Sequence, residues 1–184
     1  MRPALTLTTI ALLAAGCAGE PRTSGPLNPR MVERLETVKL DPAEAQRLFN
    51  AYRARNGLGP VRLDPVLTAM AQRQADAMAR ENSLSHTVAG SFASRIDAAG
   101  VDAARSAENL GGGYYSTSEA FEGWQRSSGH DANLKLAQAT RFGIALAKDP
   151  RTRYRAWWAL VVAGEPEKRR ELDAGPLVPV LVVR

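Results

Sequence analysis

The sequence predicts an α/β protein, a three-layer α/β/α sandwich around a small, mainly antiparallel central sheet. Three observations point there: capped amphipathic helices fill the first half of the folded region, aliphatic and aromatic strands close it, and the last strand is apolar on both faces. Helices that come early and a sheet that comes late form separate layers, and a strand apolar on both faces needs cover on both sides.

The chain opens with Met1-Arg2, continues through a largely apolar stretch from Ala4 to Ala15, and reaches Ala14-Ala15-Gly16 directly before Cys17. A basic end, an apolar run and small residues are the layout of a secretory signal. The run is about a dozen residues, short of the roughly twenty that span a bilayer. Leu13-Ala14-Ala15-Gly16-Cys17 also fits a lipobox, whose cysteine thiol receives a diacylglyceryl group. Residues 1–17 are read as a lipoprotein signal ending at Cys17, with the membrane as first partner. Ala18, rather than an aspartate, follows the cysteine and points to the outer membrane in a cell that has two. Cys17 is the chain's single cysteine, so no disulfide framework supports the fold. Residues 18–40 carry Pro21, Gly25, Pro26 and Pro29, with only Met31 to Val38 able to be helical, and read as a flexible tether.

The folded region is expected over residues 41–164 as one domain. Asp41-Pro42-Ala43-Glu44 supplies an N-cap, a proline at the first helical position and an acid at N3, ahead of Ala45, Leu48, Phe49 and Tyr52 at helical spacing. Asn56-Gly57 closes that helix. Asp64-Pro65 opens a second, with Leu67, Met70, Ala71, Ala75 and Met78 on one face, ending near Asn82. Phe92, Ile96 and Ala99 form a short third stripe stopped by Gly100, and Ser116-Thr117-Ser118-Glu119 launches a fourth helix through Phe121 and Trp124. Arg141 to Ala147 and Tyr154 to Ala163 read as two strands of an antiparallel hairpin around the turn-forming Lys148-Asp149-Pro150-Arg151. Residues 165–184 form a C-terminal extension, polar at first and then apolar from Leu177 to Val183, a strand-like or aggregation-prone tail.

Twenty-four Lys and Arg against nineteen Asp and Glu give a formal charge of +5. A mild excess suits an anionic envelope surface. No aromatic-interleaved basic stripe accompanies it, so nucleic acid is not an expected partner, and a monomer is expected.

Only two histidines are present, His86 and His130. Each follows a polar run just beyond an expected helix, Ser83-Leu84-Ser85 and Ser127-Ser128-Gly129, so both should occupy loops. Several short motifs stand in order: Asn50 through Arg53 with Gly57-Leu58, Leu63 to Leu67, Leu84-Ser85-His86, Arg95-Ile96 to Gly100, Glu108-Asn109-Leu110, Trp124 to His130, Asn133-Leu134, and Gly143 before Trp157-Trp158. Over roughly Pro42 to Gly164 this series resembles the CAP superfamily of cysteine-rich secretory, antigen 5 and pathogenesis-related proteins. Serine at 127, where many eukaryotic members carry a second cleft glutamate, resembles the bacterial branch.

The resemblance implies a cleft formed by His86, Glu108 and His130, with Asn109 and Ser127 beside them. Two imidazoles and one carboxylate suit Zn²⁺ with an open position; a hydrogen-bonded cluster that positions loops is the alternative use of the same residues. Family members are linked to lipid or sterol binding, to interactions outside the cell and, in scattered cases, to proteolysis. The expected function is therefore an envelope-anchored binding module whose cleft takes a divalent metal or a small or lipidic ligand. The rival is a metal-assisted hydrolase of envelope or extracellular peptides, with Glu108 as ligand or general base. Other candidates carry less. Glu119 belongs to the Ser116 capping box, Ser127 and Ser128 lack a nucleophile elbow, Gly111-Gly112-Gly113 lacks the lysine of a phosphate loop and reads as a hinge or cleft rim, and Trp124, Trp157 and Trp158 read as core. Cells given a radioactive fatty acid should label the wild-type chain and leave Cys17→Ser unlabelled and released from the membrane fraction; a Cys17→Ser chain that stays equally membrane-bound would overturn the anchor.

Overall fold

The computed structural model describes residues 26–103 and 105–165. The expected signal with Cys17 and the tail from Pro166 onward lie outside the described residues. In chain order the elements are α1 (Pro29–Thr37), α2 (Pro42–Arg55), β1 (Arg62–Leu63), α3 (Pro65–Glu81), α4 (Phe92–Ala98), β2 (Ser106–Gly112), α5 (Thr117–Gln125), α6 (Ser128–Leu134), β3 (Ala139–Lys148) and β4 (Ala156–Gly164).

The two Asp-Pro signals do what their chemistry requires. Asp41 accepts from the N–H groups of Ala43 and Glu44, and Asp64 from those of Val66 and Leu67, so each cap satisfies first-turn donors that have no partner inside the helix. Asn82 ends α3 in the left-handed conformation at φ 49°. Ser116 accepts from the Glu119 N–H and the Glu119 carboxylate accepts from the Tyr115 N–H, 2.7 Å. That pairing makes Glu119 a capping residue.

The sheet order is β1-β3-β4-β2, with β1 parallel to β3 and the other pairs antiparallel. Every residue of β4 is buried. Its Trp158, Leu160 and Val162 pack with α1, α2, α5 and α6 through Leu35, Phe49, Phe121, Trp124 and Leu134. Trp157, Ala159, Val161 and Ala163 pack with α3 through Leu67, Met70, Ala71 and Met78, where α4 adds Phe92 and Ile96. The three indole N–H groups each find an acceptor, on Leu110, Thr152 and Tyr114, so the tryptophans enter the core without an orphaned donor. Small residues on one face of β3 let α3 come close. A Cβ at Gly143 would stand 2.1 Å from the backbone of Leu67 and Thr68.

Three expectations change. The tether was expected to run to residue 40, but Pro29–Thr37 is helix α1, capped by Asn28, with Leu35 and Val38 buried. The Lys148 ammonium fastens its end by donating to the carbonyls of Leu35 and Val38, at 3.1 and 3.0 Å. The glycines at 111 and 112 are not a hinge but the end of β2, because Tyr114 and Tyr154 fill the space a side chain would need. The final strand begins at Ala156 rather than Tyr154, since Arg155 takes a left-handed φ of 66° and turns the chain.

Arg53 joins the layer containing α2. It is fully buried and donates to the carbonyls of Gly59, Leu134, Leu136 and Ala139, at 2.7, 2.9, 3.0 and 3.2 Å. Burial lowers its pKa, and the carbonyl dipoles take the place of lost water around the cation.

Candidate histidine cleft

β2 is an edge strand, and its pleat directs successive residues to opposite layers. Glu108 lies opposite Val161, on the α3 and α4 face, and Asn109 lies opposite Leu160, on the other. Each residue brings in one histidine from its own layer.

On the first face, Arg95 of α4 grips the Glu108 carboxylate with both ends of its guanidinium, Nη1 to Oε2 at 2.7 Å and Nη2 to Oε1 at 2.8 Å. Both side chains are buried, at 7% and 2% exposed. The same arginine donates to the carbonyls of Gly90 and His86, at 3.1 Å each, so one cation holds both the carboxylate and the turn that carries His86. His86 Nδ1 lies 2.8 Å from Glu108 Oε1. A carboxylate paired with arginine is an acceptor, so Nδ1 is the donor and a neutral His86 ring carries its lone pair on Nε2. The ring is 56% exposed, which leaves Nε2 on the solvent side.

On the second face, the Asn109 amide donates to the His130 carbonyl (3.0 Å), and Asn133 donates to the Asn109 side-chain oxygen (2.9 Å) and to the Glu108 carbonyl (3.2 Å). Asn109 is fully buried; it fastens α6 to β2 and presents no surface to a ligand. Asp131, next in sequence to His130, accepts from the Tyr52 hydroxyl and pairs with Lys135 at 2.7 Å. The first turn of α6 is thus tied to both β2 and α2. His130 was expected in a loop, yet it lies in that helical turn. Gly129 hides the helix in the sequence, and Ser127 at the N-cap position makes no capping bond with its side chain.

The two rings come close enough to interact electrostatically. Burial, and then the charge of His86, push the His130 pKa below its ordinary value. His86 and Glu108 are in hydrogen-bond contact, His130 feels the His86 charge, and Ser127 is half-buried at the start of the His130 helix. Their roles are unequal, because both carboxylate oxygens are engaged inside while the His86 side chain is more than half exposed and His130 is half-buried. Among the described residues no group of three His, Cys, Asp or Glu side chains has metal-ligating geometry.

Arg95 and Asn133 are the functional side chains that motif reading treated only as landmarks. Arg95 could have been found from its position: it falls between Phe92 and Ala99 on the apolar stripe of a short helix, where an arginine has to meet a buried acceptor.

Arg95→Met should destabilise the fold by about 3–5 kcal/mol, because Glu108 is left buried without its counter-charge, and lower Tm by on the order of 10 °C. Adding Glu108→Leu should restore part of that loss in the same melting experiment. A second expectation concerns pH. A base whose folded pKa lies below its unfolded value, about 6.5 for histidine, contributes stability above that value and loses it as pH falls through the folded one. Metal-free protein should lose stability below about pH 6.5, and His130→Gln should flatten that slope in denaturant titrations.

Comparison with known proteins places these features. Residues 46–163 match the CAP family, described as the cysteine-rich secretory protein family. The Bacillus subtilis (strain 168) protein YkwD, itself named as uncharacterized, is 25% identical over 125 residues, covering 63% of this chain and 49% of that protein. An extracellular SCP-domain protein of Bacillus anthracis str. Ames superposes with a TM-score of 0.60 at 22% identity, covering 77% of this chain and 45% of that one. An outer surface protein of Borrelia burgdorferi gives 0.59 at 17% identity, over 69% of this chain and 97% of its own. The chain spans about half the length of the two Bacillus proteins. With the family match covering most of the chain and the same fold in these bacterial extracellular and outer-surface proteins, the chain belongs to the CAP family.

Proposed function

We propose that this protein is a lipid-anchored binding module of the bacterial envelope, whose His86/His130 cleft takes a divalent cation and presents it to a small or lipidic ligand. The observation that carries this reading is the fate of Glu108: its carboxylate is held by Arg95 and orients His86. That leaves the exposed His86 ring and the half-buried His130 ring as the donor set of the site.

As donors, the residues fit a cation held by His86 Nε2 and His130, with Glu108 behind His86 in the position where carboxylates orient metal-binding imidazoles. A lowered His130 pKa favours the neutral ring that ligation needs. Two protein nitrogens leave most of a cation's coordination positions to water or to ligand oxygens, an arrangement for binding at a surface. A hydrolase would need a free base beside the metal-bound water, and the internal pairing of Glu108 and serine at 127 disfavour that rival.

The Leu13-to-Cys17 lipobox supports anchoring, and the extracellular and outer-surface relatives support an outward-facing address. Among the described residues no helix is long and apolar enough to cross a membrane.

Calorimetric titration of the purified full chain with Zn²⁺ should show one site per chain, lost in His86→Ala and in His130→Ala. Glu108→Gln should keep the site with affinity reduced about 10–100-fold. Equal zinc uptake by wild type and a His86→Ala/His130→Ala chain would overturn the reading, as would full metal-dependent peptidase activity in wild type.

A further inference from the structure

The turn between β3 and β4 carries Lys148, Arg151, Arg153 and Arg155 against one acid, Asp149, within residues 148–155. Lys148 is spent on the carbonyls of Leu35 and Val38, which leaves three arginines. The turn is braced in a way that holds two of them out. Thr152 between them is buried; its hydroxyl donates to the Asp149 carbonyl (2.7 Å) and accepts from the Arg155 N–H (3.2 Å) and the Trp157 indole (2.9 Å). The Asp149 carboxylate accepts from the Arg151 N–H at 2.9 Å, and the Asn82 side-chain oxygen from the Arg153 N–H at 2.7 Å. Arg151 and Arg153, on either side of Thr152, are exposed.

Arg155 gives a second, independent sign. It holds φ at 66°, a region that disfavours an arginine, and its Nε is buried without a hydrogen-bond partner among the described residues. A glycine would relieve that strain, and strain of this kind gathers where a side chain is used. Tyr154 is half-buried beside it, with the Arg153 guanidinium 5.3 Å from its ring centroid. A tyrosine, apolar in body and polar at its tip, suits the headgroup level of a membrane.

Helix α1, the first described element after Cys17 in the chain, meets the same turn: Val32, Leu35 and Glu36 share a cavity of about 170 Å³ with Lys148 and Pro150. Its charges balance, Arg30 and Arg34 against Glu33 and Glu36, so the arginines of the turn set the sign of this end of the molecule.

We infer that the β3–β4 turn is a membrane-contact surface, where Arg151, Arg153 and Arg155 bind the phosphates of anionic lipid headgroups. The inference rests on the envelope address proposed above. A guanidinium matches phosphate oxygens with paired N–H donors, and a basic surface supplements a lipid anchor. The contact also orients the domain. Glu108 lies opposite Val161, five residues along β4 from Ala156, which sets the His86 side of the sheet about 17 Å farther from the headgroups than the turn.

Partition of the full-length chain onto phosphatidylcholine vesicles with and without phosphatidylglycerol tests this. The ratio of the two partition coefficients isolates charge, because an apolar contribution from the N-terminal run or its lipid is common to both. Arg151→Gln/Arg153→Gln/Arg155→Gln should lower that ratio by about 10–100-fold at low ionic strength. Arg47→Gln/Arg55→Gln/Arg73→Gln removes the same charge from exposed positions on α2 and α3, and should lower it by less than about 3-fold. Lysine at the three turn positions should keep the ratio within about 3-fold of wild type. Equal losses in the two glutamine variants would overturn the inference, as would a wild-type chain with no preference for anionic vesicles or with a stronger preference for a DNA duplex. Zinc uptake by the turn variant should match wild type, so that failure of this surface and failure of the histidine site are told apart.

Discussion

The complete burial of β4 is the constraint from which the rest follows. Nine consecutive residues, among them Trp157 and Trp158, are inaccessible to water, and a strand in that condition has to be central and roofed on both faces. The α2, α5 and α6 layer and the α3 and α4 layer supply the two roofs, with β3 and β2 as flanks. At roughly 25 cal/mol per Å² of apolar surface, burying two tryptophans and their neighbours outweighs what any surface contact contributes. The helices are consequently placed by the sheet, and the places left open are its edges.

Those edges are used differently. At β2 the pleat makes neighbouring residues serve opposite layers, and the protein uses it to bring two histidines together from elements that do not touch in sequence. The carboxylate that looks like a ligand in the sequence is a fastener: Arg95 neutralises it, and it holds His86 in one tautomer. A buried ion pair of this kind adds little net stability, but it is costly to break. It therefore holds the cleft in one geometry. At β3 the edge is blunted by Gln72 and by the short β1.

This division also bears on address. His86 is more than half exposed beside the edge strand, and the proposed lipid on Cys17 would tether that surface to a membrane. Helix α1 shortens the expected tether, because Lys148 fastens residues 35–38 to the end of β3.

The sequence by itself determined the elements whose signals are local. Asp41-Pro42, Asp64-Pro65 and Ser116 to Glu119 start helices through side-chain bonds to backbone a few residues away, and the two-faced apolarity of residues 154–163 called for three layers. The motif series led to His86, Glu108 and His130. Only tertiary structure decided what depends on distant partners. Residues 106–112 form a strand although glycine-rich, since Tyr114 and Tyr154 occupy the vacated space. The turn around His130 is helical because Asn109, Tyr52 and Lys135 hold it. Glu108 faces inward because an arginine thirteen residues away, on another element, lies across its carboxylate, and nothing in the spacing of the two residues encodes that contact.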